Sequence, residues 1–207
     1  MSIFSFLNKK PTIKGEIGYF NLSEWWLSEF SDEERDHIIK IYQPMGSSGD
    51  SLVKGEITST TQSAIGLLSV LAGWFDNEKD RKFAYRLLKK AEELINDTSN
   101  IVDIHFLFMN KLKIYYKDRN KDSDALNKSV EACKQQIEIA PKVKMAFQKE
   151  YGNDPLPGHS GFEQLAIIEE KQKKFDSVIE ISKKALEQGW AGDWEKRIER
   201  CNKKLNH

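Results

Sequence analysis

From Ser59 onward, apolar residues recur at three- and four-residue steps for most of the chain, and this periodicity constrains its fold more than any other feature. Ile65, Leu68, Ala72 and Phe75 form one series, and Phe83, Leu87, Leu88, Ala91, Leu94 and Ile95 the next. The spacing predicts a helix over 104–117 through Phe108, Leu112 and Tyr115. Another follows over 126–139 through Val130, Cys133 and Ile137, which Pro141 ends. Residues 142–151 read as a short helix with Val143 and Phe147 as its apolar points, and 152–158, with Pro155 and Pro157, as a structured loop. Helices over 162–173 and 175–188 are joined by almost nothing, and a last amphipathic helix starts near Asp193 with Trp194, Ile198, Cys201 and Leu205. No strand-like alternation runs beyond about five residues, so the expected class is all-α, with most helices paired as antiparallel hairpins.

The first 58 residues read as an acidic helical segment that caps the hairpin domain over 59–207, the two forming one continuous unit. Ser23 is the expected N-cap of a short helix carrying Trp25 and Trp26, neighbours about 100° apart, of which one packs inward. Ser31 with Glu34 three residues on gives a capping-box pattern before Ile38 and Ile39, and Pro44 stops that helix near Gln43. A loop follows over 46–55, and 54–58 reads as a short extended segment. Near the start, Ile3, Phe4, Phe6 and Leu7 precede Lys9 and Lys10, the reverse of the order a secretory leader requires. The longest weakly polar stretch, 64–75, is too short to cross a membrane.

Composition narrows the functional classes. Lys plus Arg equals Asp plus Glu at 32 each, so no global field attracts nucleic acid or an anionic membrane. Cys133 and Cys201 stand far apart, make no metal-ligand pattern, and lie in the apolar periodicity of their helices; they read as small core residues in a reduced, cytoplasmic setting. No phosphate-binding glycine loop, dinucleotide fingerprint or HExxH is present, and His37, His105, His159 and His207 are scattered singly. The acids around Glu33, Glu34, Asp36 and His37 are explained by a capped first helical turn rather than by a metal. His159 beside Ser160 reads as a loop and cap, with Ser160 as N-cap, rather than as a hydrolytic pair. No cofactor, no metal and no catalytic activity are expected.

Within 161–190 the order of residues resembles a single tetratricopeptide repeat: Phe162, Leu165 and Ala166, then Phe175 after a tight turn, then Val178 and Ala185. Small side chains at Ala166, Val178 and Ala185 let two helices cross closely. Phe108, Tyr115, Ser129, Gln136 and Pro141 form a looser second match, and Ala84 and Ala91 mark a third. The array departs from the family at Glu169, Gln136 and Trp190, and its corresponding positions lie farther apart than the usual 34 residues. Trp190 and Trp194 are expected to staple the last helix onto the preceding hairpin.

The resemblance implies a right-handed superhelix of hairpins that binds a peptide or protein in a concave groove lined by the first helix of each hairpin. On this chain those positions are Phe106, Met109, Lys113, Tyr116 and Lys117, then Ser160, Glu163, Ile167, Glu170 and Lys171. Family members that clamp a chaperone's terminal carboxylate use basic and amide groups; here stand Glu163, Ile167 and Glu170, which predict a mixed or basic partner segment. The expected function is therefore a non-catalytic scaffold or adaptor, acting through this groove or by self-association. The alternative is contact with nucleic acid, or with a nucleic-acid-binding partner, through the basic run Lys111, Lys113, Lys117, Arg119 and Lys121 with its interleaved Tyr115 and Tyr116. An enzyme of unfamiliar type using the Glu33–His37 region is the third reading.

Overall fold

Helical periodicity becomes helix in the computed structural model of the chain, which describes residues 13–152 and 154–206. The leader-like stretch at residues 1–11 lies outside the described residues. Ten α-helices and two very short strands are present among those described, so the class is all-α. The contacts divide the chain into two compact units, Met1–Leu67 and Leu68–His207.

The first unit holds α1 (Gly15–Tyr19), α2 (Ser23–Glu29), α3 (Asp32–Ile41) and one 3-10 turn at Gly49–Leu52. Ser31 Oγ accepts the Glu34 N–H at 3.3 Å, while the Ser31 N–H donates to the Glu34 carboxylate at 3.2 Å, the reciprocal cap the sequence predicts. Asp32, Glu33 and Glu34 thereby sit at the positive end of the α3 dipole. The cap of α2 falls one residue earlier than expected, at Leu22, which offers no side-chain bond. Trp26 is the buried tryptophan, while Trp25 is half-buried and edge-on to Phe30 at 5.5 Å. Residues 54–58 form no strand; the Gly55 carbonyl instead accepts the Gly15 N–H at 3.0 Å. Gly15 has φ +59° and a Cβ there would lie 2.3 Å from the Ser51 carbonyl oxygen, so only glycine fits this crossing.

α4 (Ala64–Gly73) runs across the division, and the second unit continues with α5 (Arg81–Glu93), α6 (Ile101–Lys117) and α7 (Ser123–Tyr151). It ends with β1 (Leu156–Gly158), α8 (Ser160–Lys171), α9 (Phe175–Gln188), β2 (Trp190–Ala191) and α10 (Trp194–Leu205). α6 and α7 pack as an antiparallel hairpin. Ser129 Oγ donates to the Leu112 carbonyl at 2.9 Å and Gln136 Nε2 to that of His105 at 3.0 Å, so α7 advances as α6 recedes.

Pro141 does not end its helix. α7 runs unbroken through it over 29 residues, although an internal proline costs about 3 kcal/mol or more through a lost backbone bond and a steric clash. Pro141 itself is exposed, while Ile137, Ala140 and Val143 on either side of it are buried in one apolar cluster, and that burial holds the axis together. The 152–158 loop also contains more order than expected: Leu156–Gly158 pairs in parallel with Trp190–Ala191.

The three small residues expected where helices cross are all inside. Ala166, Val178 and Ala185 are fully buried. Ala166 and Val178 share a cluster with Ile179 and Cys201 of α10, and Ala185 joins the larger one with Phe162, Leu165, Trp190 and Trp194. The indole N–H of Trp194 donates to the Trp190 carbonyl at 2.8 Å, which staples α10 to the end of α9.

Candidate functional site

The two runs of candidate groove residues lie on α6 and α8, and these helices run side by side in the same direction. Near their starts the rings of His105 and His159 are 5.1 Å apart; at their ends Lys171 Nζ donates to the Tyr116 hydroxyl at 3.2 Å. α7 packs against both helices. Close approach of α8 to α7 depends on Gly161, where a Cβ would stand 2.8 Å from Gln136 Oε1 and 2.9 Å from the Cys133 carbonyl oxygen.

Tyr116 and Lys171 line a pocket of about 290 Å³ with Arg119, Asn120, Leu126, Ile168 and Gln172. Its floor is aliphatic and its rim carries amides and cations. The Arg119 guanidinium lies 4.2 Å from the Tyr116 ring centroid and donates to the Tyr116 carbonyl at 2.8 Å, so stacking and a hydrogen bond both fix it. Neither Arg119 nor Lys171 forms an ion pair among the described residues. Nearby bases differ. Lys111 is buried against Glu92 at 2.6 Å, Lys117 pairs with Asp76, and Lys121 pairs with Glu78. The run of positive charge from 111 to 121 is therefore largely neutralised within the chain, leaving Lys113 exposed and Arg119 at the pocket.

Of the remaining candidate positions, Met109 and Ile167 are half-buried, while Glu163 and Phe106 are exposed. Glu170 is committed elsewhere. Its carboxylate accepts both Arg200 nitrogens at 2.9 and 2.8 Å and Lys204 at 3.0 Å, with Arg197 at 3.6 Å. The Arg200 hydrogen bond, reinforced by Lys204 and opposed by partial burial, pushes its acid dissociation down to about 2. Three cations of α10 thus occupy the acid that a basic partner would need. Of the other pocket residues, Arg119 belongs to the basic run read as the alternative contact face, whereas Asn120, Leu126, Ile168 and Gln172 carry no signal of a groove position in the sequence.

Beneath the α6 and α8 starts lies a buried polar cluster of His105, Gln136 and His159. His159, not Ser160, caps α8: its Nδ1 accepts the Phe162 N–H at 3.4 Å, which places its own proton on Nε2. Fully buried and turned to that role, it does not pair with Ser160. Burial pushes His105 down to about 4. Burial, with the nearby His105 adding to it against backbone contacts at His159 and Gln136, pushes His159 down to about 3. His105 Nδ1, Gln136 Oε1 and His159 Nε2 make no hydrogen bond in this cluster. Gln136, a departure from the repeat pattern, is thus a polar pin between α6 and α7.

Both cysteines are buried and free, and burial raises the Cys133 thiol to about 12. The Glu33 region serves its helix end: Ser31 Oγ donates to Glu33 at 2.8 Å and Arg35 pairs with Asp32. Among the described residues no group of three or more His, Cys, Asp or Glu side chains could hold a metal ion, and no helix is long and apolar enough to cross a membrane. Compared with family models, curated proteins and solved structures, the chain has no significant match.

Proposed function

We propose that the chain is a non-catalytic protein-interaction module, a tetratricopeptide-like set of hairpins that receives a peptide or protein segment across the faces of α6 and α8. The observation that carries this reading is the Tyr116–Lys171 contact, which joins the two candidate faces at a pocket whose two cations have no acid of their own. Parallel α6 and α8, separated by an antiparallel α7, match the order expected for the first helices of successive hairpins. The burial of the small residues Ala166, Val178 and Ala185 supports the same reading. An acidic partner segment fits better than the basic one the sequence points to, because Glu170 is occupied while Arg119 and Lys171 are not. A cytoplasmic setting agrees with two buried free thiols.

The test is affinity capture from the native cell, comparing the wild-type chain with an Arg119→Ala/Lys171→Ala variant. Loss of a defined set of protein partners in the variant is the expected outcome, together with no measurable binding to single-stranded DNA or RNA oligonucleotides at low salt. Partners retained in full by the variant would remove the pocket from the reading. Tight, steeply salt-dependent oligonucleotide binding would replace it with the nucleic-acid alternative.

A further inference from the structure

A second concavity, of about 330 Å³, lies between α6, the end of α7 and β1. Its walls are Phe106, Phe147 and Tyr151, its floor is the 155–157 Pro-Leu-Pro stretch, and Asp154 stands at its edge. Two of the rings are unusually open to solvent for their type, Phe106 at 42% and Tyr151 at 61%. Phe147 is held from behind, edge-on to His105 at 6.0 Å and to Trp190 at 6.2 Å, and lies 6.3 Å from Tyr151. Leu156 is buried and fixed by its pairing with Trp190, so the proline-flanked floor is anchored to the same core. Phe147 and Leu156 are therefore held by the core, while Phe106 and Tyr151 project beside them into solvent.

We propose that this pocket receives a cationic side chain, lysine or arginine, from a partner protein. Aromatic faces carry negative potential and attract a cation, most strongly where water is partly excluded. Asp154 adds a formal negative charge, makes no ion pair among the described residues, and no basic side chain lines the pocket. A neutral apolar occupant would gain nothing from the exposed Asp154 carboxylate, and an anionic one would meet repulsion. The aliphatic stem of a lysine or arginine matches the Pro-Leu-Pro floor while its head meets the rings and the carboxylate. The sign of charge selected is opposite to that of the α6/α8 pocket, and although Phe106 belongs to the candidate α6 face the two pockets share no lining residue.

The probe is N-acetyl-trimethyllysine methylamide, titrated into the full chain at constant ionic strength and followed by aromatic NMR shifts, beside its uncharged tert-butyl isostere. Saturable shifts of Phe106, Phe147 and Tyr151 resonances are expected with the cation, and binding about five-fold weaker with the isostere. Asp154→Asn lowers the affinity of the cation but not that of the isostere, and Phe106→Ala abolishes both; both substituted residues are exposed, so the fold is retained. Equal binding of the two probes, or shifts that stay linear into tens of millimolar, would overturn the proposal.

Discussion

The α6–α7 hairpin and the α8–α10 group solve the same packing problem with different chemistry. Between α6 and α7 the contact includes buried polar side chains: Ser129 and Gln136 reach carbonyls of the facing helix, and Gln136 also lies beside His105. Among α8, α9 and α10 the buried apolar cluster is Ala166, Val178, Ile179 and Cys201, and the buried Ser182 hydroxyl donates within its own helix to the Val178 carbonyl at 2.7 Å. Its ions lie outside, gathered on Glu170. A seam of small apolar groups depends on shape and is sensitive to volume. A seam with buried imidazoles depends on protonation and is sensitive to pH. His159, at the start of α8, belongs to the second kind although its helix belongs to the first.

Acid breaks this comparison with the largest effect. In the unfolded chain both imidazoles protonate near 6.5, whereas in the folded chain they stay neutral until about 4 for His105 and about 3 for His159. The unfolded state therefore takes up more protons as pH falls, and the stability these groups contribute is full above 6.5 and lost below it. Between pH 8 and pH 5 the loss is about 2 kcal/mol per histidine, read as a lower urea midpoint. A midpoint unchanged over that window would mean that the cluster is open to water. Carboxylates such as Glu170 do not confuse the result, because its contribution is present above its ordinary 4.5 and is lost only as pH falls toward about 2.

Ala185→Phe tests the other seam. The new ring has no space at a fully buried crossing, and overpacking is expected to destabilise by about 3 kcal/mol, at pH 8 and pH 5 alike. An unaltered melting curve would show that α9 is not closely packed there. The smallest effect belongs to the ionic rim: Glu170→Gln leaves Arg197, Arg200 and Lys204 without their acid and is expected to lower stability by about 1 kcal/mol, less at high salt. A loss as large as that of Ala185→Phe would move the rim into the core of the argument for α10 docking.

Legibility followed the range of the interactions. The Ser31 cap, the hairpin rhythm and the burial of Ala166, Val178 and Ala185 could be read because each depends on residues within one or two helical turns. Pro141 misled for the same reason: its local penalty is real, but Ile137, Ala140 and Val143 bury into a cluster that includes Leu112, Leu165 and Trp190, none of them near in sequence. An oxygen-bearing Ser160 is the more usual kind of cap, but the buried imidazole nitrogen of His159 one position earlier accepts as well. The candidate faces on α6 and α8 were legible as faces. Their charge balance was not, since Glu170 meets α10 and Lys117 meets Asp76 only once the chain has folded back.

The amino-acid sequence alone determined most of the helical segments, which of their faces are apolar, and which small residues are buried on them, because these depend on repeats of three and four positions along one rod. Tertiary structure decided that Tyr116 and Lys171 would meet, that His105 and His159 would share a dry site, and that Asp154 would line one concavity with three aromatic rings. Those encounters join segments tens of residues apart, and a charge or ring takes its character from whatever the rest of the chain brings beside it.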